Sequence, residues 1–268
     1  MRADLHLHTL KSDGSLTPRA VISSAKALRI LTVSVTDHDS VGGIDEAVAA
    51  GKEKGVTVIP GIEMSSFRDG EIHILGYNIL YNNQSFLSEL KRIQQIREKR
   101  NLEIIGRLKE HGVNLDYEAI KRNQSGSIGR IHMALAMRDK GYVNSISEAF
   151  DRYLGFGCPC YRRTPLIKPE EAIEIISAHG GVPVLAHPYR YVEEGKIYEL
   201  IMSLEGLKGL EVYYPLHTDS IKEILYDIAK EKNLIVTGGS DFHNLQSGNP
   251  IGSGNYEMDE YAASLLLG

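Results

Sequence analysis

Residues 4–13 read DLHLHTLKSD. Leu5 and Leu7 alternate with His6 and His8, the two-residue period of a strand. The two imidazoles therefore share one face, and in a closed barrel that face can be the interior. One interior histidine with a hydrogen-bond partner is an ordinary core residue. Two neighbours, both stripped of water and unpaired, are expensive. A metal ion removes the expense, because neutral imidazole is a good ligand. Asp13 follows just past the strand, within reach of the same place.

The pattern repeats outward from this stretch. Strand candidates are residues 3–8, 31–39, 56–65, 71–79, 182–188, 209–214 and 234–243. Most are apolar runs, as expected of strands covered on both faces. Helical patterns stand between several of them. Thr17 is an expected N-cap with Pro18 in the first turn. Gly55 is an expected helix stop. Pro169 opens another helix, and DSIKEILYDIAKEKN (219–233) is amphipathic. Repeated βα units predict an α/β fold with a parallel sheet. Seven strands predict a closed or nearly closed barrel.

Residues 84–153 carry no strand pattern and open on a long amphipathic helix. The expected organisation is a barrel formed by residues 1–80 and 166–268, interrupted by a helical insertion, 81–165, that caps the substrate. The insertion is the densest basic region. Most of its cations, Arg97 and Arg100 among them, read as a solvated helix face.

Strand ends carry the chemistry. TDHD (36–39) ends one strand with His38, and GIEMS (61–65) presents Glu63. The fourth strand carries His73. LAHP (185–188) ends on His187, and GGSDFH (238–243) places Asp241 and His243 two apart. In βα barrels the reactive face lies at the C-terminal ends of the strands. Each residue alone passes as core or surface; recurrence on six of the seven strand candidates does not. His6, His8, Asp13, His38, Glu63, His73, His187, Asp241 and His243 exceed the four to six ligands of one first-row ion. They point to two or three divalent ions, with Glu63 or Asp241 as bridges. Mixed imidazole and carboxylate ligation suits Mn²⁺, Fe²⁺ or Zn²⁺. Such a centre suits hydrolysis at phosphorus by metal-activated hydroxide, the remaining ions clamping phosphoryl oxygens.

Composition narrows the partners. The 268 residues carry a formal net charge of −5, which gives no general attraction to duplex DNA or anionic lipid. The two cysteines, Cys158 and Cys160, form a CxC pair that reads as inert thiols. No basic-then-apolar leader and no run of ~18 apolar residues is present, so the expectation is a cytoplasmic enzyme with no membrane segment and no obligatory protein partner.

The motifs DLHLHT, SDG, VTDHD, GIEMS with EIHILGY, LAHP and GGSDFH resemble those of the PHP (polymerase and histidinol phosphatase) family. IGRIHMA (128–134) resembles a branch with a helical insertion. That branch includes phosphatases of nucleoside 3′,5′-bisphosphates and 5′→3′ exonucleases of short RNA. The resemblance implies a distorted (β/α)7 TIM-like barrel with a trinuclear site. One ion would take His6, His8, Glu63 and Asp241. A second would share Glu63 and add His73 and His187; a third would take Asp13, His38 and His243.

It also offers Arg130 and His132 as catalytic and phosphate-binding groups, although Ile131 stands where proline is expected. Asp39 is offered as a ligand support or proton manager, and His217 as a group near the leaving group. The implied activity is hydrolysis of a small nucleotide phosphate, either a nucleoside 3′,5′-bisphosphate or the 5′ end of a short oligoribonucleotide. The alternatives are a histidinol-phosphate or other small-molecule phosphatase, and a non-catalytic metal-binding PHP module.

Overall fold

The structure, a computed structural model, describes residues 2–122, 126–162, 167–190, 194–244, 248–254 and 256–267. The expected boundary between residues 165 and 166 lies outside the described residues. Among the described residues eight strands form one sheet: β1 (Arg2–Leu7), β2 (Thr32–Val35), β3 (Thr57–Phe67), β4 (Glu71–Tyr77), β5 (Val182–Leu185), β6 (Gly209–Tyr213), β7 (Ile235–Gly238) and β8 (Tyr256–Glu257). Their order is β7-β6-β5-β4-β3-β2-β1-β8. Strands β2, β5 and β7 are buried along their whole length; β5 accordingly reads as an apolar run, whereas β2, TVSV, alternates although both its faces are covered.

The expected all-parallel, seven-stranded sheet needs two corrections: a short eighth strand, β8, pairs antiparallel with β1, and β4 is reversed. β4 runs antiparallel to both β3 and β5, while β1–β2–β3 and β5–β6–β7 are parallel. Residues 68–70 are too few for a crossover, so β3 and β4 can only form a hairpin. Asp69, at φ 55°, takes the left-handed turn position. The reversal matters for function. It brings the N-terminal end of β4 to the barrel mouth, where His73 pairs in register with Ser65.

The barrel nearly closes between β1 and the segment after β7. Leu7 bridges Phe242, and the His8 N–H donates to the Phe242 carbonyl at 3.0 Å. At the opposite end β8 pairs with Arg2 and Ala3 of β1. Gly239 makes this seam possible: a Cβ there would sit 2.3 Å from the Cβ of His6.

Helices α1 (Pro18–Ala27) and α2 (Ile44–Lys54) cover the first βα units. The Thr17 hydroxyl accepts from the Ala20 N–H at 3.2 Å, and Gly55 closes α2 at φ 64°. After β4, in the segment expected as the insertion, stand α3 (Gln84–Glu110), α4 (Tyr117–Arg122), α5 (Arg130–Asp139), α6 (Ile146–Ala149) and a π turn, Phe150–Leu154. Next come α7 (Pro169–Ala178), α8 (Ile197–Ser203), α9 (Asp219–Glu231) and α10 (Glu260–Leu267).

α3 ties the insertion to the barrel. Its Phe86, Leu90 and Ile93 join the barrel's apolar core. Its Ile104 and Leu108 belong to a second core with Met133, Met137 and Leu154. Both ends of this helix are thus held by buried apolar surface.

Candidate metal centre

The period of β1 turns His6 and His8 to the same side, where both are fully buried. His8 Nε2 lies 3.2 Å from both Glu63 Oε2 and Asp241 Oδ1. His6 Nε2 lies 3.3 Å and 3.4 Å from the same two oxygens. Glu63, fully buried on β3, is the hub. Its Oε2 faces His38 Nδ1 at 3.1 Å, and its Oε1 faces His73 Nδ1 at 2.8 Å and His187 Nε2 at 3.1 Å. Asp13 adds a second hub, with His243 Nε2 at 3.4 Å, His8 Nδ1 at 3.6 Å and His38 Nε2 at 3.8 Å. All nine ligand candidates therefore meet in one cluster.

The donor set fits divalent metal. His6 Nε2, His8 Nε2, His38 Nδ1 and Glu63 Oε2 are buried and have no hydrogen-bond partner. Native interiors rarely leave such atoms unsatisfied. Four groupings among the described residues have ligand atoms within 4.8 Å of one another: His6–His8–Glu63–Asp241, His8–Asp13–His38–His243, His38–Glu63–His73 and His6–His187–Glu211. Donors bonded to one ion at about 2.1 Å are separated by roughly 3.0–3.4 Å. The contacts of His6 and His8 with Glu63 and Asp241 fall in that range.

Surrounding groups aim the ligands. His6 Nδ1 shares a proton with Glu211 Oε1 at 2.9 Å, which turns its Nε2 toward the cluster. The second oxygen of Glu211 accepts the His187 N–H at 2.7 Å. The Tyr214 hydroxyl donates to Asp241 Oδ2 at 3.1 Å and leaves Oδ1 to face the histidines. His243 Nδ1 donates to the Asp241 carbonyl at 2.9 Å. His187 and Asp241 hold left-handed backbone angles, φ 27° and 51°. Such strain, about 1–3 kcal/mol per residue, persists where neighbours over-determine it.

Electrostatics divides the imidazoles. Burial alone would lower His8, but Asp241, Glu63 and Asp13 outweigh it and raise its pKa to about 10. His6 is also raised, against burial, by Glu211, Glu63 and Asp241. Burial wins at His38, lowered to about 4, and at His187, lowered to about 3. Asp13, Glu63 and Asp241 lie well below the ordinary carboxylate range, because the histidines outweigh burial.

A cavity of about 200 Å³ opens above this floor, lined on its insertion side by Arg97, Arg100, Arg130 and Phe150. Arg130 reaches Glu71 Oε2 at 2.6 Å and the Leu154 carbonyl at 3.1 Å. Its guanidinium lies 5.3 Å from the Tyr161 ring centroid. Asp39 accepts from the Ser65 N–H at 2.9 Å and pairs with Arg97, so it anchors α3 rather than facing the cavity.

His132 and His217 are not among the lining residues. Gly129 has no side chain to cap α5, and His132 Nδ1 takes that role, accepting the Gly129 N–H at 2.9 Å. His217 donates to the Val212 carbonyl at 2.9 Å and packs between Tyr189 and Tyr214. The solvated-face reading fails for Arg97 and Arg100, which are 7% and 4% exposed.

Sequence reasoning passed over Glu211, although an acid inside the apolar run GLEVYY (209–214) was a visible signal. It also passed over Glu71, whose partners come from remote segments. Cys158 and Cys160 belong to none of the possible metal groups among the described residues.

Comparison with known proteins places the chain. A model of the PHP domain matches residues 4–160. A 5′-3′ exoribonuclease of Haemophilus influenzae is 36% identical over 244 residues, covering 90% of this chain and 89% of that protein. A 3′,5′-nucleoside bisphosphate phosphatase of Chromobacterium violaceum is 34% identical over 249 residues, covering 90% and 86%. The solved structure of an amidohydrolase from Chromobacterium violaceum, with bound sulfate and no metal, superposes with a TM-score of 0.86 at 31% identity, covering 96% of this chain and 92% of that one.

Proposed function

The chain belongs to the PHP domain family, and on that premise we propose that it is a metal-dependent phosphoesterase of small nucleotides. The substrate is a nucleoside 3′,5′-bisphosphate or the 5′ end of a short oligoribonucleotide. One observation carries the reading: unsatisfied buried ligand atoms of His6, His8, His38 and Glu63 lie beneath a cavity whose other wall is arginine. Relatives with these two activities support the choice of nucleotide.

His6, His8, Glu63 and Asp241 would hold one ion, Glu63 with His73 and His187 a second, and Asp13, His38 and His243 a third. Two or three divalent ions, Mn²⁺, Fe²⁺ or Zn²⁺, would supply Lewis acidity toward water and toward phosphoryl oxygens.

The protein's own residues do the rest. Arg130 binds and orients the phosphate; its planar fork suits a pair of phosphate oxygens. Glu211 and Tyr214 keep the ligands in productive orientation. The insertion caps the mouth and limits the water that reaches the site. Asp39 serves through Arg97, and His132 through the start of α5.

The test is turnover of a nucleotide panel after chelation and reloading with Mn²⁺. Hydrolysis of adenosine 3′,5′-bisphosphate or of a 5′-phosphorylated RNA trimer is expected. Confirmed metal with no turnover of any phosphate ester would overturn the reading in favour of a binding module. Preference for histidinol phosphate over every nucleotide would overturn the choice of substrate.

A further inference from the structure

Arg100 is the one guanidinium of the cavity wall that makes no hydrogen bond among the described residues. Arg97 is bound to Asp39 and Ser65, and Arg130 to Glu71 and the Leu154 carbonyl. Arg100 is 4% exposed, its Nε has no partner, and its nearest acid is Glu71 Oε1 at 3.6 Å, too far for a hydrogen bond. A guanidinium has five donors, and burying it unpaired is strongly unfavourable. On the insertion side three arginines face two carboxylates, Asp39 and Glu71, so that side keeps one positive charge in excess; the fourth lining arginine, Arg190, is paired with Asp241 Oδ2 at 3.3 Å. Burial, with Arg97 beside it, lowers the pKa of Arg100 to about 10, which leaves it charged at neutral pH.

The charge lines the same cavity as the ligand candidates Asp13, His38, Glu63, His73, His187, Asp241 and His243. Glu71 begins β4, two residues before His73, and it spans Arg130 and Arg100. A substrate phosphate over the histidine floor would therefore leave any second anionic group facing Arg100.

We propose that Arg100, with Arg130 beside it, reads a second phosphate or phosphodiester of the substrate, and that Glu71 is the resident counter-ion which yields to it. This rests on the nucleotide phosphoesterase reading and deepens it. Arg100 then sets specificity for doubly charged substrates over monophosphates. Glu71 holds the wall together without substrate and weakens the attraction for stray anions.

The experiment compares Mn²⁺-loaded wild type with Arg100→Gln, Arg100→Lys and Glu71→Gln. For each, kcat/KM is measured on adenosine 3′,5′-bisphosphate and on the two adenosine monophosphates, and the Kd of the bisphosphate by calorimetry. Arg100→Gln is expected to cut the bisphosphate-to-monophosphate ratio about tenfold or more, as loss of a charge-assisted hydrogen bond implies. Arg100→Lys keeps the charge but loses the fork, and should fall between. Glu71→Gln should lower the Kd of the bisphosphate.

A ratio within twofold of wild type in both Arg100 variants overturns the proposal, even if all rates fall together, because that is a packing role. Should Arg100→Gln fail to fold, Arg100→Lys and Glu71→Gln decide by the same ratio and Kd. If wild type hydrolyses no ester, the functional reading fails, while the calorimetric comparison still decides what Arg100 binds.

Discussion

At the scale of the residue, the centre is a balance between imidazoles and acids. Asp13, Glu63, Asp241 and Glu211 are all buried or nearly so, and positive charge must come from metal or from protons. In metal-stripped protein, protons on His6, His8 and His243 supply it, since all three are raised. Metal loading must displace them. Calorimetric loading at pH 7 in two buffers of different ionisation enthalpy should therefore report proton release.

The same shifts set the stability of stripped protein. His8, raised to about 10 from 6.5, contributes stability that is fully present below pH 6.5 and fades between there and about 10. The depressed carboxylates, Asp13, Glu63 and Asp241, stabilise above their ordinary range and lose that contribution in acid. Thermal unfolding of stripped protein, followed by circular dichroism, should thus peak near pH 6.5: above it the raised histidines lose their contribution, and below it His38 and His187, lowered to about 4 and about 3, add to the loss in acid. Glu211→Gln should weaken metal affinity ten- to a hundredfold, about the cost of losing a partner that aims a ligand; unchanged metal content at limiting ion would contradict its role.

At the scale of the element, the strand-end histidines were legible because a two-residue period and a barrel mouth make a strong joint pattern. The N-cap Thr17 and the stop Gly55 were legible for the same local reasons. The reversal of β4 was legible but passed over: the strand candidates 56–65 and 71–79 leave only residues 66–70 between them, too few for a parallel crossover. Arg100 was misread because an amphipathic pattern on α3 cannot tell a solvated face from a face turned toward a neighbouring cavity. Glu71 was invisible because Arg100 and Arg130 reach it from distant parts of the chain.

The seam between β1 and β7 makes its own prediction. Gly239→Ala would force a Cβ to within 2.3 Å of His6 Cβ. Relief must come from moving β1, so both stability and metal content should drop. Overpacking of this kind costs about 1–3 kcal/mol. A variant with wild-type melting temperature and metal content would show that the seam has more slack than its geometry allows.

At the scale of the molecule, the proposed site lies where the strand ends meet the helices that stand between β4 and β5. The strands bring the candidate ligands together, and α3 and α5, with a core around Met133 and Met137, bring Arg97, Arg100 and Arg130 to the cavity wall. No described helix is long and apolar enough to cross a membrane. The net charge of −5 leaves local arginines to attract the substrate. Substrate affinity should weaken with salt at the shallow slope of one or two phosphate contacts, roughly −0.7 per contact for single strands; the slope of log KM against log salt checks this, and a steep one would indicate a long nucleic-acid track instead.

The central claim is that nine side chains from His6 to His243 enclose a compact group of divalent ions. Anomalous diffraction at the manganese edge, on crystals of Mn²⁺-loaded protein, tests it directly. At least two peaks should appear, touching Glu63 and bounded by His6, His8, His38, His73 and His187. A map with no peak among these residues, or with the metal elsewhere, would contradict the account.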